Sequence, residues 1–103
     1  MVTMTATLHI EHPVRDFESW KRTFDQFHEF RLRGGVRSYR LARNAEVDSD
    51  VTIDLVFDNP DAASAFRRML LERVWTAQRA SEVLTGTPSA TILNLVEDRT
   101  ISP

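Results

Sequence analysis

Four side chains in this chain are of the kinds that move protons and hold anions: His9, Arg40, Asp54 and Asn94. A histidine with a carboxylate at one ring nitrogen has a fixed tautomer, and its other nitrogen can accept a proton near neutral pH. An arginine and an amide nearby can then donate to the oxyanion left behind. The four residues are far apart in sequence, so this chemistry needs a fold that brings them to one surface. The same group has a second reading. Buried polar side chains normally satisfy one another, and these would do so across an interface between two copies.

The strands come first among the elements that must position them. Met4 to His12 alternates, with Met4, Ala6, Leu8 and Ile10 on one side and Thr5, Thr7, His9 and Glu11 on the other. That pattern predicts a half-buried strand ending at Pro13. Val36–Arg43 reads as a second strand, the polar stretch Asn44–Asp50 as a turn, and Val51–Asp58 as a third strand. In the third, Val51, Ile53, Leu55 and Phe57 share one face and Thr52, Asp54 and Val56 the other. The short link predicts an antiparallel hairpin. Ala90–Glu97 is the last strand, with Leu93 and Leu95 expected on the apolar face and Ile92, Asn94 and Val96 opposite.

Two helices lie between them. In the stretch Arg15–Gly35, Asp16 is an N-cap and Glu18 an acid in the first turn. Phe17, Trp20, Phe24 and Phe27 recur at helical spacing. Arg31 and Arg33 suit the negative helix end, and Gly34 and Gly35 supply the positive-φ stop. Asn59-Pro60-Asp61 starts the second helix, capped by Asn59 or Asp61. Its apolar face is Ala62, Ala65, Phe66, Met69 and Leu70. Leu71 and Trp75 fall off that stripe, which predicts a bend or restart near Leu70–Arg73, and Gly86, Thr87 and Pro88 close the helix.

The order is β-α-β-β-α-β, that of the ferredoxin-like α+β fold. Right-handed crossovers give a four-stranded antiparallel sheet with two helices on one face and the first strand between the third and the last. His9, Arg40, Asp54 and Asn94 are then all expected on the helix-free face. That face is too apolar for bare water and too polar for a core, so two sheets are expected to pair in a homodimer, as a dimeric α/β barrel.

Composition sets outer bounds. At 103 residues the expectation is a single domain over 1–103. There is no cysteine, which excludes disulfides, thiolate metal sites and cysteine nucleophiles. A net charge of −2 argues against general nucleic-acid affinity. No apolar run nears the roughly 20 residues of a membrane span, and the N-terminus lacks a basic leader, so a cytoplasmic protein is expected. His12 and His28 lack ligand spacing, and no metal site is expected. The basic run Arg31, Arg33, Arg37, Arg40 and Arg43 reads as a solvated edge with ion pairs to Asp48 and Asp50.

The pattern resembles the dimeric α/β-barrel superfamily that includes antibiotic-biosynthesis-monooxygenase-like and small polyketide-cyclase-like proteins. The resemblance is carried by His12-Pro13-Val14-Arg15-Asp16-Phe17, Trp20-Lys21, Phe24-Asp25, Arg31, Gly35, Arg40, Phe57-Asp58, Ala65-Phe66 and Gly86-Thr87-Pro88. It implies a homodimer with a cavity beside each sheet and, as one activity of such proteins, oxygenation of polycyclic phenols without a tightly bound cofactor. The haem-degrading branch uses an asparagine on the first strand and a histidine on the second helix, which this chain lacks.

The expectation is therefore a monooxygenase- or cyclase-like enzyme for a polycyclic or phenolic ligand. His9 would be the base, Asp54 its orienter, and Arg40 and Asn94 the oxyanion donors. Trp20, Trp75 and Tyr39 can line a cavity and stack on an aromatic ligand, or simply pack in the core. The alternative is a non-catalytic homodimeric ligand-binding or interaction module.

Overall fold

Alternation fixes which side of each strand is wet, and the register shows how the strands share a face. The computed structural model describes residues 5–76 and 88–102. Its strands are β1 (Ala6–Pro13), β2 (Ser38–Arg43), β3 (Asp50–Phe57) and β4 (Ser89–Asn94). They form one antiparallel sheet in the order β2-β3-β1-β4. Leu8 pairs with Leu55 and Ile10 with Ile53, so the apolar parities of β1 and β3 fall on one face. The expected role of Met4 in the first strand, and those of Gly86 and Thr87 at the end of the second helix, lie outside the described residues.

β4 is displaced by one residue in its facing. Ile92 pairs with Leu8 and Ala90 with Ile10, so these two pack on the helix side. Leu93 pairs with Thr7 and faces away, 46% exposed. The segment is apolar in both parities, with Ile92, Leu93, Leu95 and Val96 all candidates, so hydrophobicity alone does not choose. Pairing with β1 decides it, and the expected inward Leu93 and Leu95 are both exposed.

The first helical stretch is two helices. α1 (Phe17–Gln26) starts at Asp16, whose carboxylate accepts from the Ser19 N–H at 3.0 Å. Phe27 leaves helical geometry at φ −95° and ψ 18°, and α2 (His28–Arg33) resumes after it. Trp20 and Phe24 are buried, with Phe17 and Phe27 packed against them. The two glycines that follow serve different ends. Gly35 has φ +91°, the left-handed conformation its type favours. Gly34 has φ −78° and is needed for space, since a Cβ there would lie 2.4 Å from Cδ1 of Phe66.

α3 (Pro60–Met69) is capped by Asn59, which accepts from the Ala62 N–H at 2.8 Å. Its buried face is Ala63 and Phe66, continued by Leu70, while the expected Ala65 and Met69 are exposed. Leu70–Val74 then forms a π-helical turn, closed by the Trp75 N–H on the Leu70 carbonyl. In a regular α-helix Arg73 would turn toward the core and Trp75 toward solvent. The wider turn rotates Arg73 out and brings Val74 and Trp75 in. The bend expected near Leu70–Arg73 is this turn.

The core is one cluster between the sheet and the helices, with Trp20, Phe57, Leu8 and Ile10 among its most buried side chains. At the β2 end Arg43 pairs with Asp48 at 3.6 Å, and Arg37 pairs with Asp58 at 2.6 Å rather than with Asp50. No described helix is long and apolar enough to cross a membrane.

Candidate functional site

The sheet divides the residues expected to form one site into two groups. On the outer face, β1 and β3 set His9 directly opposite Asp54, and the His9 Nδ1 lies 2.7 Å from the Asp54 Oδ1. Both side chains are about one-third exposed. Arg40 stands in register with Asp54 on β2, yet it forms no ion pair among the described residues. Thr91 completes the row on β4. Asn94 does not join it. Its partner is Ala6, which points into the core, so Asn94 is out of register with His9, although it borders an outer-face groove with His9 and Asp54. That follows from the displaced facing of β4.

The three aromatic residues lie on the other side of the sheet. Tyr39 pairs with Leu55, so it shares the helix face, and its ring meets Phe24 edge-on at 5.3 Å. Trp20 and Trp75 are both buried there. Trp20 and Trp75 lie behind the sheet from the His9–Asp54 pair, whereas Tyr39, on the edge strand and 43% exposed, also borders an outer groove with Arg40 and Asp54.

The aromatic side has its own polar groups. His12 continues the buried parity of Ala6, Leu8 and Ile10, and it is 3% exposed. Its ring lies 5.5 Å from Trp20 and meets Trp75 edge-on at 6.0 Å. The Nδ1 atom is buried without a hydrogen-bond partner among the described residues. Burial lowers this imidazole from its ordinary 6.5 to about 4, against a smaller opposing effect of the neighbouring Pro13 backbone. His12 is therefore neutral at physiological pH.

Arg31 is the second polar group, 6% exposed. The break at Phe27 explains its position. The Phe24 carbonyl, at the end of α1, accepts from the Phe27 N–H at 3.1 Å and from Nη1 of Arg31 at 2.8 Å. The guanidinium carbon sits 3.8 Å from the centre of the Phe24 ring and 5.2 Å from that of Tyr39. Its Nε–H is buried without a partner among the described residues. Burial disfavours its charge, and Tyr39 and Asp25 support it. A guanidinium keeps its proton in proteins.

His12 and Arg31 line the same cavity, walled by Trp20, Phe24, Leu70 and Trp75. Its free volume is about 40 Å³, room for a few waters. An acceptor on a neutral imidazole and a donor on a cation, both unsatisfied among aromatic rings, can take a proton from an acidic ligand and hold the anion formed. Among the described residues no group of three His, Asp or Glu side chains is arranged to hold a metal ion.

Both residues have a signal in the sequence beyond ligand spacing and helix-end charge. His12 shares the parity of Leu8 and Ile10, which points inward. Arg31 follows Phe24 and Phe27 by seven and four residues, on the aromatic stripe.

Comparison with known proteins bears on the fold. No protein-family model matches the chain, and no curated protein matches it in sequence. Solved structures do. The "Putative antibiotic biosynthesis monooxygenase from Nitrosomonas europaea" has a TM-score of 0.68 at 13% identity, over 89% of this chain and 90% of its own. A conserved protein from Methanosarcina mazei Go1 has a TM-score of 0.66 at 11% identity, over 89% and 93%. Rv0793 from Mycobacterium tuberculosis has a TM-score of 0.61 at 20% identity, over 95% and 100%. At these identities the likeness is one of architecture, and the chain has the ferredoxin-like α+β fold of antibiotic-biosynthesis-monooxygenase-like proteins.

Proposed function

We propose that the protein is a small-molecule enzyme of the monooxygenase or cyclase type, acting on a phenolic or enolisable aromatic ligand in the cavity between sheet and helices. The observation that carries this reading is the pair of unpartnered atoms, His12 Nδ1 and Arg31 Nε, in one aromatic cavity. His12 takes the acidic proton, and Arg31 holds the oxyanion. An anion beside the imidazole raises its proton affinity, so the base becomes effective only with the ligand in place. For an anthrone-type CH2, dioxygen then accepts four electrons: one oxygen atom becomes the ring carbonyl and the other leaves as water. A ring system enters by displacing side chains at the Trp75 end, since the free space is small.

The test titrates the protein with anthrones and hydroxyquinones, following Trp20 and Trp75 fluorescence, and then measures oxygen uptake with any compound that binds. We expect saturable binding, and uptake lost in His12→Ala. Uptake unchanged in that variant would sink the assignment.

A second reading, a non-catalytic homodimeric module, is favoured by the outer face. Leu93 and Leu95 are exposed there beside a His9–Asp54 pair that is already satisfied. Pairing of outer faces in a homodimer also accords with the enzyme reading. No binding across the panel, with a dimer seen by light scattering, would leave the module.

A further inference from the structure

We propose that the cavity takes its ligand as an organic monoanion, a carboxylate or enolate, whose oxygen accepts from the Nε–H of Arg31. The inference rests on the reading of the cavity as the ligand site and names the charge of what fills it.

Arg31 is 94% removed from solvent and forms no ion pair among the described residues. A charge so buried is costly unless an opposite charge or a full set of hydrogen bonds meets it. Its surroundings fall short on both counts. Among the described residues one bond goes to the Phe24 carbonyl and the buried Nε has none, the planar group lies on ring faces, and Nη2 forms no hydrogen bond and is not fully buried. The carboxylate that supports the charge is Asp25, and Lys21 already binds both its oxygens at 2.7 and 2.8 Å on the surface. Tyr39 contributes a ring face, 5.2 Å from the guanidinium carbon, and no carboxylate. His12, on the same cavity, carries no charge that would compensate or repel.

A neutral ligand can return the missing hydrogen bond but not the missing charge. A monoanion returns both, and among the described lining residues Arg31 is the one guanidinium or ammonium available to meet a negative charge. The apolar remainder of the ligand lies against Trp20 and Phe24, which line the same space. Arg31 can turn to it without orphaning the Phe24 carbonyl, which keeps the Phe27 N–H.

The experiment compares acids with amides of the same shape: acetate against acetamide, and benzoate against benzamide, at constant ionic strength. Binding is read by calorimetry and by the shift in thermal unfolding temperature. We expect at least one acid to bind roughly tenfold or more tighter than its amide, the discrimination a hydrogen bond to a charged group provides. Arg31→Met should unfold at a higher temperature than the wild type and show no preference, and Arg31→Lys should keep part of it. Equal binding of acid and amide, or a preference that survives in Arg31→Met, overturns the inference and leaves the cavity as the binding site. Indifference to all four by a protein that still binds the polycyclic phenols also overturns the inference alone. Indifference to phenols as well removes the cavity reading with it.

Discussion

Acid should unfold this protein through one side chain, His12. Its imidazole is buried against Trp20 and Trp75 and held neutral, at about 4 against an ordinary 6.5. Between those values the unfolded chain binds a proton on His12 and the folded chain does not. Stability therefore falls as pH falls through that window and is fully present above it. The difference amounts to about 3 kcal/mol, a large share of the 5–15 kcal/mol typical of a domain. Urea unfolding followed by tryptophan fluorescence, at steps from pH 7.5 to pH 4, measures it directly. His12→Leu should remove most of the slope, because every other ionisable side chain is the same in both proteins. The lowered carboxylates Asp16, bonded to Ser19, and Asp58, bonded to Arg37, protonate below the window. Parallel slopes in wild type and His12→Leu would refute the burial of a neutral imidazole as the source.

Three further outcomes are expected. Gly34→Ala should cost about 1–3 kcal/mol in thermal or urea unfolding, since its Cβ would meet the Phe66 ring; a Phe66→Leu background should recover part of that loss, and an unaffected Gly34→Ala would contradict the packing. Asn59→Ala should cost about 1 kcal/mol through loss of the α3 cap, and Asn59→Asp should restore it. His9→Ala and Asp54→Asn should leave cavity binding, read by tryptophan fluorescence, unchanged; lost binding would return the chemistry to the outer face.

Much of this architecture could be read from residue order. Strict alternation in β1 and β3 set His9 and Asp54 on one face, and antiparallel pairing then brought them to 2.7 Å. Asp16 and Asn59 announced their helices through side-chain chemistry that acts within three residues. What could not be read depended on contacts distant in sequence. Ile92 rather than Leu93 faces the helices because β1 pairs that way, and Asn94 leaves the outer row for the same reason. Trp20 and Trp75 take the core position that was open to both, because facing is a property of the whole sheet and sets them behind His9. Arg31 is buried because the chain breaks at Phe27 and exposes a carbonyl, which helical periodicity does not foretell.

The π turn at Leu70–Val74 has a genealogical side. It holds one residue more than an α-helical turn of the same rise, the mark a single inserted residue leaves. A relative without the insertion would run straight through this region and still present an inward side chain where Trp75 stands. Any matching of such a sequence to this one needs a one-residue gap between Leu70 and Val74. Without it, Val74 and Trp75 are compared with neighbours that face elsewhere, and the wall of the cavity is scored as surface.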